Sequence, residues 1–476
     1  MTVTSNLRDC KAYVRWRPLP PSETTVGEIR RQTVKHGNNT YSIQVESHES
    51  HPGRPPTWKS TASLSNIFTG ETNNKAVFET VVQSTLPAVL DGAVCNFFAY
   101  GHSGSGKTHT IIGYDYENVE NLGICLSTAN QLFQALDDLN KTNNTANQTP
   151  PSQNPNRLGI GLRLYEMRRK SAFDLLNNHN ECFVREGDDG RTHIRGETET
   201  LDGGKVRVRP IVTRPCWNFE QLRQELLAGL QLRATGSSTI HDQSSRTHAI
   251  VELEIINPAL LEARDAVVER QSELVPVGKE ATRVYIEESY KSIMQDDDGK
   301  WIPNPDRPIN QAVIDEAEKL KDEFQARVDR AEEHVAAVLN SSTHSCLGGR
   351  YVFVDLAGAE FFTSEGTQTV RGKSSSTSTA HDRQESRQIN ADLFALKEVI
   401  RARALRQPRI PFRSSTLTMA LREHFVQSDR GYSAMILTVS PAADQYAATV
   451  NTLKYGTLVG SAGGGGAAAP AKKLKT

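Results

Sequence analysis

The sequence predicts an α/β fold in three layers, with a mostly parallel central sheet flanked by helices and broken by one helical insertion. Three observations point there. Compact apolar runs that read as buried strands recur at 94–100, 350–355 and 434–440. Stretches of helical periodicity separate them, which is the alternation of a sheet covered by helices. The first run leads through a glycine-rich turn straight into a helical segment beginning at Lys107.

Taken in chain order, a strand-like run at 11–16 is followed by Pro18, Pro20 and Pro21, and then by a polar stretch near 48–56. Val77, Val81, Val82, Leu86, Val89 and Leu90 recur at helical spacings, and Gly92 closes that helix. Residues 140–156 are Asn, Thr, Gln and Pro with almost no apolar content, the composition of a surface loop. Strands are expected at 158–167 and 249–256; in the latter Val251, Leu253 and Ile255 alternate with Glu252 and Glu254. The character changes after Ile256. Asn257-Pro258 reads as an N-cap with proline in the first turn. A long helix then carries Ile309, Val313, Ala317, Leu320, Phe324, Val328, Ala331, Val335 and Val338. Its eight steps cover 29 residues, about 3.6 per turn, which suits a straight helix packed on a domain; a short coiled-coil arm is the alternative. The expected organisation is one domain from 1–256 and 348–460, a helical insertion at 257–347, and a flexible Gly/Ala tail with lysines at 461–476.

Composition narrows the function classes. Lys and Arg number 55 against 56 Asp and Glu, so no whole-chain charge marks a nucleic-acid partner. No apolar run approaches the length of a membrane span, and the N-terminus lacks the apolar core of a secretory signal. The six cysteines, Cys10, Cys95, Cys125, Cys182, Cys216 and Cys346, are scattered with no CxxC pair. They read as reduced core thiols of a cytosolic protein, with no zinc site.

The chemistry concentrates in three segments. Gly101-His102-Ser103-Gly104-Ser105-Gly106-Lys107-Thr108 fits G-x-x-x-x-G-K-[ST] in full. Its glycines let backbone N–H groups turn around a polyphosphate, Lys107 supplies charge to the outer phosphates, and the Thr108 hydroxyl suits Mg²⁺. The fold expected is therefore that of a P-loop NTPase. Ser244-Ser245-Arg246-Thr247-His248, just before the 249–256 strand, places adjacent hydroxyls and a guanidinium where Mg²⁺ and a γ-phosphate can be reached. Asp355-Leu-Ala-Gly358-Ala-Glu360 follows the 350–355 strand; the carboxylate suits an ion's bound water, and Gly358 lets its N–H approach the γ-phosphate. Each of the last two, taken alone, is also compatible with a plain turn.

The chain resembles the kinesin motor domain family. Arg15-Trp-Arg17-Pro18 matches the family's RxRP element, and Phe98 to Thr110 its FAYGxTxSGKTxT loop. Ser244-Ser-Arg-Thr-His248 resembles SSRSH of the first switch, and Asp355 to Glu360 DLAGSE of the second. Ile389-Asn390 with Leu393, Ala395 and Leu396 resembles INxSLxAL, Ile410-Pro-Phe-Arg413 with Leu417-Thr418 resembles VPYRxSxLT, and Thr452-Leu-Lys-Tyr455 resembles the closing TLxFA. The resemblance implies MgATP hydrolysis, microtubules as partner and a cytoplasmic, cytoskeletal location. It implies that Arg15, Arg17, Pro18 and His109 border the adenine. Lys107 and Thr108 would hold phosphates and Mg²⁺, and Ser244 and Ser245 would close on the γ-phosphate, with Ser245 also at the metal. Asp355 and Gly358 would sense the γ-phosphate, and Arg246 and Glu360 would pair to join the switches and order the attacking water.

The departures bear on the partner. His241 stands where the family has Asn, Ala359 replaces a serine, and Ala391, Thr416 and Met419 replace basic residues of the tubulin-facing segments. Arg387, Arg409, Arg413 and Arg422 are the cations available to compensate. The docking residues of a neck linker are absent after Gly460, and no stalk heptad follows. The expected function is a microtubule-dependent ATPase, and the alternative is a nucleotide-gated, non-motile binding or scaffold protein.

Overall fold

The computed structural model of the chain describes residues 10–37, 39–47, 56–144, 154–187, 190–234, 246–340, 345–359, 380–405, 407–426 and 431–463. Within them the apolar runs become strands β1 (Cys10–Trp16), β2 (Val94–Tyr100), β3 (Gly159–Arg168), β4 (His248–Ile256), β5 (Arg350–Asp355) and β6 (Tyr432–Val439). They lie side by side in the order β3-β4-β5-β2-β6-β1. From β5 to β1 all neighbours are parallel, whereas β3 and β4 join antiparallel and continue into hairpins at that edge. Every residue of β2, β4 and β5 is buried, as strands covered on both faces must be.

The helices that matter for the site are α1 (Lys107–Ile111), α2 (Ile124–Asn144), α3 (Phe219–Ala234), α4 (Pro258–Lys291), α5 (Gln311–Leu339), α6 (Ala380–Ala404) and α7 (Tyr446–Gly463). Strand alternation sends neighbouring side chains to opposite faces. Phe97 and Phe353 pack with Ile111, Leu126, Leu132, Leu222 and Leu226 on one side. Phe98, Val352 and Val354 pack with Leu393, Leu396 and Leu453 on the other. These two cores on one sheet are the three layers the sequence implies. The six cysteines are free thiols and all are buried.

Three expectations shift in detail. The polar 140–156 segment begins inside α2, which runs to Asn144, and the Gly/Ala tail begins inside α7, which runs to Gly463; residues 145–153 and 464–476 lie outside the described residues. After Ile256, the Asn257 side chain accepts a hydrogen bond from Leu260 N with Pro258 in the first turn, and α4 and α5 then pack on each other as a helical hairpin. The long seam of α5 does not lie on the domain along its length. Ile309 precedes the helix, which starts at Gln311; of the seam, Val328 is buried while Val313 and Leu320 are 41% and 47% exposed, because the helix packs mainly on α4.

The alternating strand β4 buries its charged face too: Glu252 and Glu254 are 4% and 2% exposed. The carboxylates persist there because cations converge on them. Arg350 donates to Glu252 at 3.3 Å and to Glu254 at 2.8 Å. Arg264, on α4, grips Glu254 with two bonds of 2.7 and 2.9 Å and so ties the hairpin to the sheet. His424 and the Tyr165 hydroxyl reach Glu252 at 3.1 and 3.0 Å. Burial alone would raise both carboxyls, but these partners hold both below the ordinary 4.5. Removing the shared cation with Arg350→Met leaves two buried carboxylates short of charge, and a loss of about 3–5 kcal/mol in urea unfolding at neutral pH is expected. Since both folded pKa values are depressed, the stabilisation is present above about 4.5 and is lost as pH falls below it. The gap between wild type and variant therefore narrows in acid; a gap unchanged at low pH would contradict this assignment.

Candidate nucleotide site

The C-terminal edge of the parallel strands forms the site, as expected of an α/β sheet. From Tyr100 the chain turns through Gly101–Gly106 into α1. Gly104 and Gly106 have φ of +74° and +99°, a backbone region costly for other residues, and this left-handed path curls the loop. A Cβ on Gly101 would fall 2.3 Å from Thr438 O, so β6 presses against the loop's start. Ser105 Oγ lies 2.7 Å from Thr438 Oγ1 and fixes that side.

Lys107 is buried, and its Nζ donates to Gly101 O at 3.2 Å and His102 O at 2.9 Å. The ammonium thus closes on the carbonyls of its own loop. Burial, opposed by the Asp355 carboxylate and aided by the Arg233 guanidinium, pushes its pKa down to about 8. The His102 ring is buried as well, donates from Nδ1 to Ser103 O at 2.8 Å, and leaves Nε2 without a partner. Burial brings it down to about 4, so at neutral pH it adds a dipole and no charge.

Asp355 ends β5 beside this loop. Thr108 Oγ1 donates to its Oδ2 at 2.8 Å, and Arg233 Nη1 donates to the same oxygen at 3.0 Å. The second oxygen, Oδ1, is buried with no hydrogen-bond partner, an arrangement that carries an energetic cost unless a ligand shell completes it. Two residues on, Ala357 N donates to His248 Nδ1 at 3.1 Å. Gly358 sits so close to the loop that a Cβ would lie 2.9 Å from Ser103 N. Ala359 N donates to Gly101 O at 3.1 Å. The second candidate segment therefore lies directly on the first.

A cleft of about 230 Å³ opens beside the loop, lined by Arg15, Arg17, Pro18 and His109 together with Asn74 and Gly106. The four residues expected at a base are thus brought together. Arg15 is buried and already engaged with Asn74 Oδ1 (2.6 Å), Thr110 Oγ1 (2.9 Å) and Thr72 O (3.2 Å); burial brings its pKa to about 10. It braces the cleft wall. Arg17 pairs with Glu23 at 2.5 Å.

Ser244, Ser245 and Glu360 lie outside the described residues, as does His241. Arg246 is described: its Nη1 lies 3.4 Å from Glu385 Oε2 on α6, and Arg168 Nε reaches the other oxygen at 3.2 Å. Sequence reasoning missed the polar floor of the site. Arg233 is buried at the end of α3 and donates to Asp355 and Thr247 O, with Glu166 at 3.7 Å; Thr247 Oγ1 donates to Glu166 at 2.9 Å. No spacing rule announces an arginine 122 positions from its carboxylate partner. Thr247 did carry a signal, as a hydroxyl inside a segment already singled out.

Because the charged form of Lys107 is the one that attracts phosphate, nucleotide affinity should fall as pH rises through about 8. Titration with a fluorescent ADP between pH 7 and 9 measures this, and an affinity flat across that interval would contradict the burial argument.

Known proteins resemble both the sequence and this architecture. The profile of the kinesin motor domain matches residues 15–277 and 329–461. Mouse Kinesin-like protein KIF24 is 24% identical over 455 residues, 96% of this chain and 24% of its own length. Rice Kinesin-like protein KIN-13A is 25% identical over 468 residues, 96% of this chain and 42% of its own. The chain therefore spans between a quarter and two-fifths of these relatives. Among solved structures, a fast kinesin superposes with a TM-score of 0.56 at 17% identity, covering 96% of this chain and 93% of that one. The motor domain of the Kar3-like kinesin from Ashbya gossypii gives 0.54 at 17%, covering 95% and 99%. Among the described residues no helix is long and apolar enough to cross a membrane. With the profile matched over most of its length and the fold shared, the chain belongs to the kinesin motor domain family.

Proposed function

We propose that this chain hydrolyses ATP in the loop between β2 and α1 and couples the presence of the γ-phosphate to attachment to microtubules. The observation that carries the reading is the junction at Asp355. One oxygen is held by Thr108 and Arg233, the other is buried and unpartnered, and Gly358 lies against the phosphate loop. That donor set fits Mg²⁺, which keeps several waters and takes few protein ligands.

Thr108 and Ser245 would hold the ion directly and Asp355 through a bound water. When bound, Mg²⁺ neutralises charge across the β- and γ-phosphates. Lys107 would leave the carbonyls of Gly101 and His102 for phosphate oxygens, while backbone N–H groups of Gly104 to Thr108 donate to the rest. The cleft of Arg15, Arg17, Pro18 and His109 takes the base. Gly358 N–H and Ser244 meet the γ-phosphate, and Arg246 with Glu360 orders a water in line with it. That water's oxygen bonds to phosphorus as the bond to the bridging oxygen breaks, giving ADP and phosphate. The contact of Arg246 with Glu385 gives a path outward, since any movement of the 246 turn is felt by α6. A chain acting in this way would work at the cytoskeleton.

One observation favours a second reading, a nucleotide-gated binding protein that does not move. Arg413 and Arg422, two of the cations available to replace the missing basic residues, both pair with Glu186, at 2.7 and 2.9 Å. Part of the charge meant for an acidic filament is neutralised within the chain.

Steady-state ATPase with and without microtubules, together with cosedimentation, separates the readings. Stimulated turnover supports the motor, pelleting without stimulation supports the second reading, and neither effect defeats both. Lys107→Ala should abolish nucleotide binding while leaving the thermal unfolding of the nucleotide-free protein within a few degrees of wild type; retained ATP affinity would remove Lys107 from this role.

A further inference from the structure

The hairpin that follows β3 carries a side chain back to the floor of the nucleotide site. Its strands, Ser171–Asp174 and Asn180–Glu186, set Asp174 opposite Asn180, and Asn180 N donates to Asn177 O at 3.0 Å across the turn. Asn178 and His179, the two central residues, have φ of +51° and +61°. Positive φ at both is the signature of a type I′ turn, whose second central position is ordinarily glycine. Histidine there carries a steric cost that glycine would not, and local strain of that kind collects at functional positions.

The His179 side chain reaches Glu166 on β3, with Nε2 2.7 Å from Oε1. A carboxylate can only accept, so Nε2 carries the proton. The ring stacks on Phe173, centroids 4.9 Å apart and planes 12° off parallel, which fixes its direction. Glu166 is buried, and its other oxygen faces inward. Oε2 accepts from Thr247 Oγ1 at 2.9 Å and lies 3.7 Å from Arg233 Nε. Thr247 Oγ1 in turn accepts from Arg233 Nε at 3.2 Å, and Arg233 Nη1 donates to Asp355 Oδ2 at 3.0 Å. A continuous chain of polar contacts thus runs from a half-buried imidazole on a surface turn to the carboxylate beside the phosphate loop.

We infer that His179 is a positioning residue for the metal-nucleotide complex: by holding one oxygen of Glu166 it sets the other against Thr247 and Arg233, and so aims the guanidinium that holds Asp355. A carboxylate gripped at one oxygen cannot turn about its last bond. Released there, it rotates, and the brace behind Arg233 loosens. Asp355 then presents its oxygens less well to an ion's bound water, while the loop amides and Lys107, which take the phosphates, are untouched. The inference rests on the reading of Asp355 as the Mg²⁺ end of a nucleotide site.

The test is retention of fluorescent ADP by the full chain as a function of Mg²⁺ concentration, beside ADP affinity measured in EDTA. His179→Gly removes the donor and suits the turn better than histidine does. Outer-shell partners of a metal ligand commonly cost roughly ten- to a hundredfold in metal affinity. His179 acts one contact further out, so His179→Gly should raise the Mg²⁺ needed for half-maximal retention by about tenfold, with the affinity in EDTA unchanged. His179→Gln keeps an N–H donor at similar reach and should restore most of the loss. His36→Ala is the control. That ring is also half-buried and bonds a side chain, Ser42 Oγ at 2.9 Å, but on a separate sheet, and its removal should change nothing. An Mg²⁺ requirement unmoved in His179→Gly would overturn the inference. So would an equal loss with and without metal, a His179→Gln variant as weak as His179→Gly, or the same shift in His36→Ala. A wild-type chain that binds ADP at the loop with no dependence on Mg²⁺ would instead defeat the reading of Asp355 itself, and the role of His179 with it.

Discussion

The arrangement on which the rest depends is one carboxylate oxygen shared by a hydroxyl and a guanidinium. Asp355 Oδ2 takes hydrogen bonds from Thr108 and from Arg233, and that junction joins β5, the start of α1 and the end of α3. It exists because β2 and β5 are adjacent parallel strands in register, Phe98 opposite Val354 and Ala99 opposite Asp355. Both strands then finish at the same level, and what each carries next, a glycine loop and an acidic turn, has to meet. Burial makes the junction decisive, because a buried carboxylate is tolerable only when compensated.

Packing then sets the tolerances. Gly101 is pinned by Thr438 and Gly358 by Ser103, so the loop and the turn meet backbone to backbone with no room for a side chain. A shift of one is transmitted to the other. The same economy of space appears behind the site, where Glu385 takes Arg168 from β3 and Arg246 from the turn before β4, giving α6 a hold on a segment next to the phosphates. The sheet's second charged cluster, around Glu252 and Glu254, does for the α4–α5 hairpin what Asp355 does for the loop. It anchors a peripheral element through an ion pair between half-buried Arg264 and buried Glu254.

Much of this was legible from residues alone, and the reasons are physical. The strands at 94–100 and 350–355 are continuous apolar runs, which is how a doubly covered parallel strand reads, and both appear with those limits. The phosphate loop was legible because its glycines are required by conformation, as the positive φ of Gly104 and Gly106 bears out. Arg233 and Glu166 were not legible, since their importance comes from a long-range crossing that leaves no local trace. The burial of Glu252 and Glu254 was hidden for a related reason: alternation of charge and hydrophobe usually means one wet face, and only the convergence of Arg350, Arg264 and His424 keeps this face dry. Periodicity located α5, but not which residues of its seam meet a partner, because the spacing is the same either way.

The most direct measurement is a crystal structure of the chain with Mg²⁺ and a non-hydrolysable ATP analogue. The account predicts Lys107 Nζ withdrawn from Gly101 O and His102 O onto phosphate oxygens, the Gly358 N–H within hydrogen-bonding distance of the γ-phosphate, and a metal-bound water on Asp355 Oδ1. A triphosphate bound elsewhere, or one bound in the loop with Asp355 Oδ1 still without a partner and Gly358 out of reach, would contradict it.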